Sequence, residues 1–172
     1  MEQPALVSKC ELNWVKIHLR GQKELFIGCF YMPHRNKRDL EQLEASLDKL
    51  NTTSEKQFIL CGDFNCPGID WSTLSIETNA PDKEIHQHLI DISNKFGLTQ
   101  IIREETREKN ILDVTFVTNP SLVINSSIVP GISVSDHGIT VSDFTIRPHY
   151  EKSKSRKVYS LYIFTYLYIY TV

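Results

Sequence analysis

The rhythm of apolar and polar positions changes several times along the chain, and each change marks an element. Residues 11–20, ELNWVKIHLR, alternate in part, and residues 24–31, ELFIGCFY, are more continuously apolar. Two such runs about Gly21-Gln22 predict a β-hairpin, which Met32-Pro33 ends. Leu40, Leu43, Leu47 and Leu50 recur at three and four residues and predict an amphipathic helix. The run Phe58–Cys61 reads as a strand covered on both faces. A polar loop follows over Ser72–Asp82; then Ile85, Leu89, Ile92 and Phe96 return to helical spacing, with Gly97 placed to stop the helix. Ile111–Val117 alternates as a strand and Val123–Val129 reads as another. Pro130-Gly131 turns the chain into a last strand over Gly138–Ile146, where the apolar positions Ile139, Val141, Phe144 and Ile146 change parity and call for a bulge or register change. Strands mixed with two helices predict a layered α/β or α+β domain, with topology left open.

Composition narrows the class. The chain has 172 residues, 41% hydrophobic and 23% charged, which suits one soluble domain with a real core. A net charge of −2 carries no global signal for nucleic acid, so any such binding needs a local patch. Cys10, Cys29, Cys61 and Cys66 have neither zinc-like spacing nor the density of a disulfide framework. Reduced, packed thiols and the lack of a signal-peptide pattern point to an intracellular protein. The domain is placed at residues 1–150. Residues 151–172 form a tail, basic in KSKSRK and then aromatic in VYSLYIFTYLYIYTV. The aromatic run is short of the roughly 20 residues a bilayer span takes, so no membrane partner is expected.

The strand at Phe58–Cys61 runs directly into Gly62-Asp63-Phe64-Asn65 and breaks at Pro67-Gly68. Those residue types alone favour a turn. Asp113, within NILDVTFVTN, and Ser135-Asp136-His137, before the last strand, have the same placement at a strand end, and Tyr31 closes its own strand likewise. Singly, each has an ordinary reading: a satisfied carboxylate, a turn dipeptide, an amphipathic core tyrosine. The remaining histidines, His18, His34, His86, His88 and His149, read as surface residues. Taken together, the strand-end groups suit one chemistry. Carboxylates bind a hard divalent cation through oxygen. A histidine beside a carboxylate is held in one orientation, and an amide and a phenol donate hydrogen bonds to phosphoryl oxygens. Such a set fits phosphodiester hydrolysis better than acyl transfer, for which no Gly-x-Ser-x-Gly elbow or cysteine nucleophile motif is present.

In order along the chain, ILCGDFN, Thr106-Arg107, LDVTFVTN and SVSDHGITV resemble the endonuclease/exonuclease/phosphatase superfamily, and in particular the endonuclease domains of non-long-terminal-repeat retrotransposons. GDFNCPGIDW, FGLTQII and RKVY add to that likeness, which covers about Cys10 to Tyr159. The resemblance implies a four-layer α/β sandwich, two β-sheets flanked by helices, and hydrolysis of DNA with Mg2+ or Mn2+. It implies that Asp63 orients or deprotonates the attacking water and that Asn65 contacts the phosphate. Asp136 would help hold the metal. His137, oriented by Asp113, would bind the scissile phosphate, with Tyr31 stabilising the transition state and Ser135 supporting the motif. Arg107 is carried over as a substrate-binding residue. Action on chromosomal DNA would imply a nuclear protein.

Two departures from the family pattern shape the expectation. The family domain begins with strands bearing an asparagine and then a glutamate, a principal metal ligand; the 30 residues before Tyr31 do not show that pattern, and neither Glu2 nor Glu11 takes the role. The chain therefore reads as the C-terminal portion of the domain, with a weakened metal site and an exposed sheet edge. A basic set, Lys37, Arg38, Arg103, Arg107 and Lys109, is available for phosphates, although charge runs more often form a solvated face. Two other readings stand: a catalytically dead remnant that binds nucleic acid or a partner, and a phosphatase or phospholipase of the same superfamily. GIDW and RKVY argue against the latter.

Overall fold

The computed structural model describes residues 10–21, 23–50 and 56–149. In chain order its elements are β1 (Glu11–His18), β2 (Glu24–Tyr31), α1 (Lys37–Leu50), β3 (Lys56–Asp63), β4 (Ile69–Asp70), β5 (Ser75–Ile76), α2 (Lys83–Lys95), β6 (Thr99–Gln100), β7 (Asp113–Val117), β8 (Val123–Val129) and β9 (Ile139–Phe144). The expected hairpin forms, with Glu11 opposite Tyr31 and His18 opposite Glu24. Gln22 of its turn, Glu2, RKVY and the tail at 151–172 lie outside the described residues.

Five strands make one mixed sheet in the order β1-β2-β3-β7-β6. β2 and β3 are parallel, joined by α1 as a β-α-β crossover; β7 then returns antiparallel to β3. Side-chain parity divides the sheet cleanly. Phe26 and Phe30 of β2, Phe58 and Leu60 of β3, and Val114 and Phe116 of β7 point to one face, where Leu40, Leu43 and Leu47 of α1 and Leu89 and Ile92 of α2 cover them. Leu25, Ile59 and Val117 point to the other face and pack with Phe144 and Ile146 beneath the β8–β9 hairpin. The α/β class is thus as expected, and three layers are present among the described residues: helices, the five-stranded sheet and the two-stranded β8–β9 sheet. The expected register change falls between Val123 and Asn125 of β8 rather than in β9.

Two local features were not legible beforehand. The loop after Asp63 carries a short ribbon, β4 paired with β5, in place of an unstructured polar stretch. His86 is not a surface residue; it is fully buried. Its Nδ1 lies 2.9 Å from the Asp82 carbonyl and its Nε2 accepts the Gly68 N–H at 3.1 Å. Donating at Nδ1 and accepting at Nε2 requires the neutral ring. Asp82, in the left-handed region at φ 56°, does not cap α2 with its side chain; its carboxylate instead pairs with Arg35 at 2.7 Å. His86 therefore ties α2 to the segment that leaves the Asp63 turn.

Truncating His86 to alanine strands the buried Gly68 N–H and leaves a void, so His86→Ala should cost about 2–4 kcal/mol in urea unfolding. A loss below about 0.5 kcal/mol would show that water or a neighbour replaces the ring.

Candidate active site

Register brings the strand-end groups together. Tyr31 pairs with Asp63 across β2 and β3, and Asp63 pairs with Asp113 across β3 and β7. In-register neighbours point to the same face, so the three form one row at the end of the sheet, on the side facing β8–β9. Gly62, at φ 142°, makes the row possible: a Cβ there would lie 1.8 Å from the Phe30 carbonyl oxygen. Only glycine lets β3 press this closely against β2 just before Asp63.

Beyond the strand, Asn65 adopts φ 48° and its N–H donates to Asp63 Oδ1 at 2.9 Å, an Asx-type turn. Its Nδ2 donates to the Pro33 carbonyl at 3.0 Å, joining the ends of β2 and β3. The turn reading and the site reading are therefore the same structure: the residues that turn the chain also orient the carboxylate.

His137 arrives from the loop between β8 and β9. Its Nδ1 is 2.7 Å from Asp113 Oδ2, and both side chains are about three-quarters buried, at 24% and 23% exposure. With Nδ1 engaged, Nε2 is the ring nitrogen available to a ligand. The loop is shaped by Ser135, whose Oγ accepts the His137 N–H at 3.2 Å, and by Gly131, where a Cβ would come within 2.2 Å of the His137 carbonyl oxygen. Thr106, fully buried within the charged run EETREK, connects the pieces. Its Oγ1 accepts the Leu112 and Asp113 N–H groups at 2.9 and 3.0 Å, and its carbonyl accepts the Gly138 N–H at 2.6 Å. In the sequence, Thr106 stands out only as part of the Thr106-Arg107 motif.

Asp63, Asp113 and His137 each offer a ligand atom within 4.8 Å of the others. Asp136 is not among them; it is more exposed and its Oδ2 pairs with Arg107 at 2.7 Å. Arg107 is in this way brought beside the SDH loop but engaged with Asp136. Tyr31 is 44% exposed at the rim. A cavity of about 700 Å³ opens onto the row and is lined by Tyr31, Asp63, Asp113, His137 and, unforeseen, Cys29. Burial raises the Asp63 pKa above the ordinary carboxylate range, and the Asp113 charge adds to the rise; the Asn65 N–H, His137 and Arg107 oppose it. Two carboxylates at this spacing fit a divalent cation with water completing the shell, with the His137 imidazole beside them. A cation there would relieve the repulsion that burial and Asp113 impose on Asp63.

Residues 25–141 match the family described as endonuclease-reverse transcriptase. The match covers most of the chain, and this protein belongs to that family, within the endonuclease/exonuclease/phosphatase superfamily. Among solved structures it is similar to an endonuclease/exonuclease/phosphatase family protein from Leptotrichia buccalis C-1013-b, at 18% identity and a TM-score of 0.51, over 81% of this chain and 52% of that one. It also aligns with the catalytic domain of APE2 from Xenopus laevis at 16% identity and a TM-score of 0.49, over 83% of this chain and 57% of that one. The chain thus spans little more than half the length of these structures. No curated protein matches it.

The raised Asp63 pKa has a stability consequence. The native state holds the Asp63 proton more tightly than the unfolded chain, so ionisation costs stability as pH rises from the ordinary carboxylate range through the folded value. Asp63→Asn keeps an acceptor for the Asn65 N–H without the charge. It should raise the melting temperature at pH 7 by on the order of 2 °C, and the gain should vanish below about pH 3, where both states are protonated. A variant that melts lower at pH 7 would show that the charge stabilises the fold.

Proposed function

We propose that this chain is a divalent-metal-dependent phosphodiester hydrolase that nicks DNA, of the kind encoded by non-long-terminal-repeat retrotransposons. The observation that carries the reading is the His137–Asp113 pair set beside Asp63 at the mouth of one cavity. Family membership supports the class of chemistry. Asp63 and Asp113 would hold a divalent cation, which would supply positive charge for the phosphate and lower the pKa of a water.

The chain's own groups do the rest. Asp63, with one oxygen fixed by the Asn65 N–H, offers the other to orient water and take its proton. His137 donates from Nε2 to a non-bridging phosphoryl oxygen, while Asp113 fixes the ring through Nδ1. Tyr31, in the same row, offers its hydroxyl to the oxyanion, and the Asn65 carboxamide reaches the phosphate once its bond to Pro33 is exchanged. Arg107 meets the DNA backbone when phosphate displaces Asp136, whose freed carboxylate would be a further residue to hold a cation; an exposed ion pair of this sort is worth at most about 1 kcal/mol and is readily exchanged. With two carboxylates in the cluster, metal binding is expected to be weak.

A second reading, a remnant that grips nucleic acid without cleaving it, is favoured by one observation: Asp136 is turned to Arg107 and stands outside the ligand cluster.

Supercoiled plasmid nicking by the purified chain in Mg2+ or Mn2+ separates the two. The hydrolase reading expects chelator-sensitive nicking that falls at least about 100-fold in Asp63→Ala and His137→Ala, with circular dichroism unchanged. Salt-dependent DNA affinity from a folded chain that does not nick supports the remnant.

A further inference from the structure

One row below Tyr31, Asp63 and Asp113, the same face carries Cys29, Cys61 and Thr115, and Cys29 and Cys61 are in register across β2 and β3. Backbones of adjacent strands lie about 4.8 Å apart, within the Cα separations that a disulfide spans. The Cys61 thiol donates to the Gly28 carbonyl at 3.4 Å, between the two strands. Cys29 is partly exposed and lines the cavity, with Cys61 buried beside it. Cys10 and Cys66 pack with the helix-side core, on the opposite face of the sheet.

We infer that Cys29 and Cys61 are an oxidisable dithiol, a modification site at which a small hydroperoxide entering the cavity closes a disulfide on its floor. The Cys29 sulfur attacks one peroxide oxygen and the O–O bond breaks. The leaving oxygen takes up a proton and departs as water or an alcohol, and Cys29 becomes a sulfenic acid. The Cys61 sulfur then attacks the Cys29 sulfur, the S–O bond breaks, and water leaves with the Cys61 proton. Two thiols lose two electrons and two protons to one peroxide. Cys29 is the partner that the cavity reaches, whereas burial pushes the Cys66 thiol up to about 12. The inference does not depend on hydrolytic activity.

Treatment of the full chain with dilute hydrogen peroxide, followed by alkylation and peptide mapping, tests it. Combined tryptic and Asp-directed cleavage separates Cys61 from Cys66, because Asp63 lies between them. The expected product is a monomer that has lost two hydrogens, with the Cys29 and Cys61 peptides linked, and that dithiothreitol restores. Cys29→Ser should abolish the linkage. Cys61→Ala should stop Cys29 at a sulfenic acid that dimedone traps. Before oxidation, iodoacetamide at pH 7 should modify Cys29 at least about tenfold faster than Cys66. Linkage to Cys10 or Cys66, an intermolecular disulfide, over-oxidation of Cys29 without linkage, or no oxidation would each overturn the assignment.

Discussion

The parallel pairing of β2 with β3 sets where the site residues stand. It runs in unbroken register from Glu24 opposite Lys56 to Tyr31 opposite Asp63, and α1 closes the crossover behind it. A shift of one residue would turn Asp63 toward the helices and Phe64 toward the cavity, because side-chain direction alternates along a strand. The aromatic packing on the helix side resists that shift: Phe30 meets Phe64 at 5.0 Å between ring centroids, and Phe64 meets Phe116 at 5.3 Å. The apolar core thus holds the polar row in place from the opposite face of the same strands.

The cost of the arrangement appears where the chain departs from easy backbone. Gly62 lies under the Phe30 carbonyl at φ 142°, and Asn65 and, in the loop before His137, Ser133 take left-handed conformations. These positions bracket the site, as strained backbone often does. The electrostatics carry a related cost, since Asp63 is held partly buried beside Asp113 with its pKa raised. Relief comes from His137, Arg107 and the Asn65 N–H, and a bound cation would add to it.

Much of the fold was legible in the residue pattern because the core elements are strongly periodic. The leucine spacing of α1 and the apolar runs of β2 and β3 allow few alternatives. The two-residue strands β4, β5 and β6 were not legible, since so short a segment has no measurable period. His86 was misread as a surface residue for a different reason. A histidine on a helix is exposed or buried according to what packs on it, and here a returning loop supplies the Gly68 N–H. Thr106 was legible only as part of a motif, because its work is done through backbone partners distant in sequence.

The sequence by itself determined the elements, the α/β class and the identity of the strand-end groups, since these follow from local periodicity and from residue types in order along the chain. Tertiary structure decided which of those groups meet. Tyr31, Asp63, Asp113 and His137 converge because three strands align in register and one loop folds over them, whereas Asp136, adjacent to His137 in sequence, turns outward to Arg107. The same alignment set Cys29 beside Cys61, a pairing that no spacing along the chain could reveal, because register across a sheet is settled by packing between strands rather than by order within them.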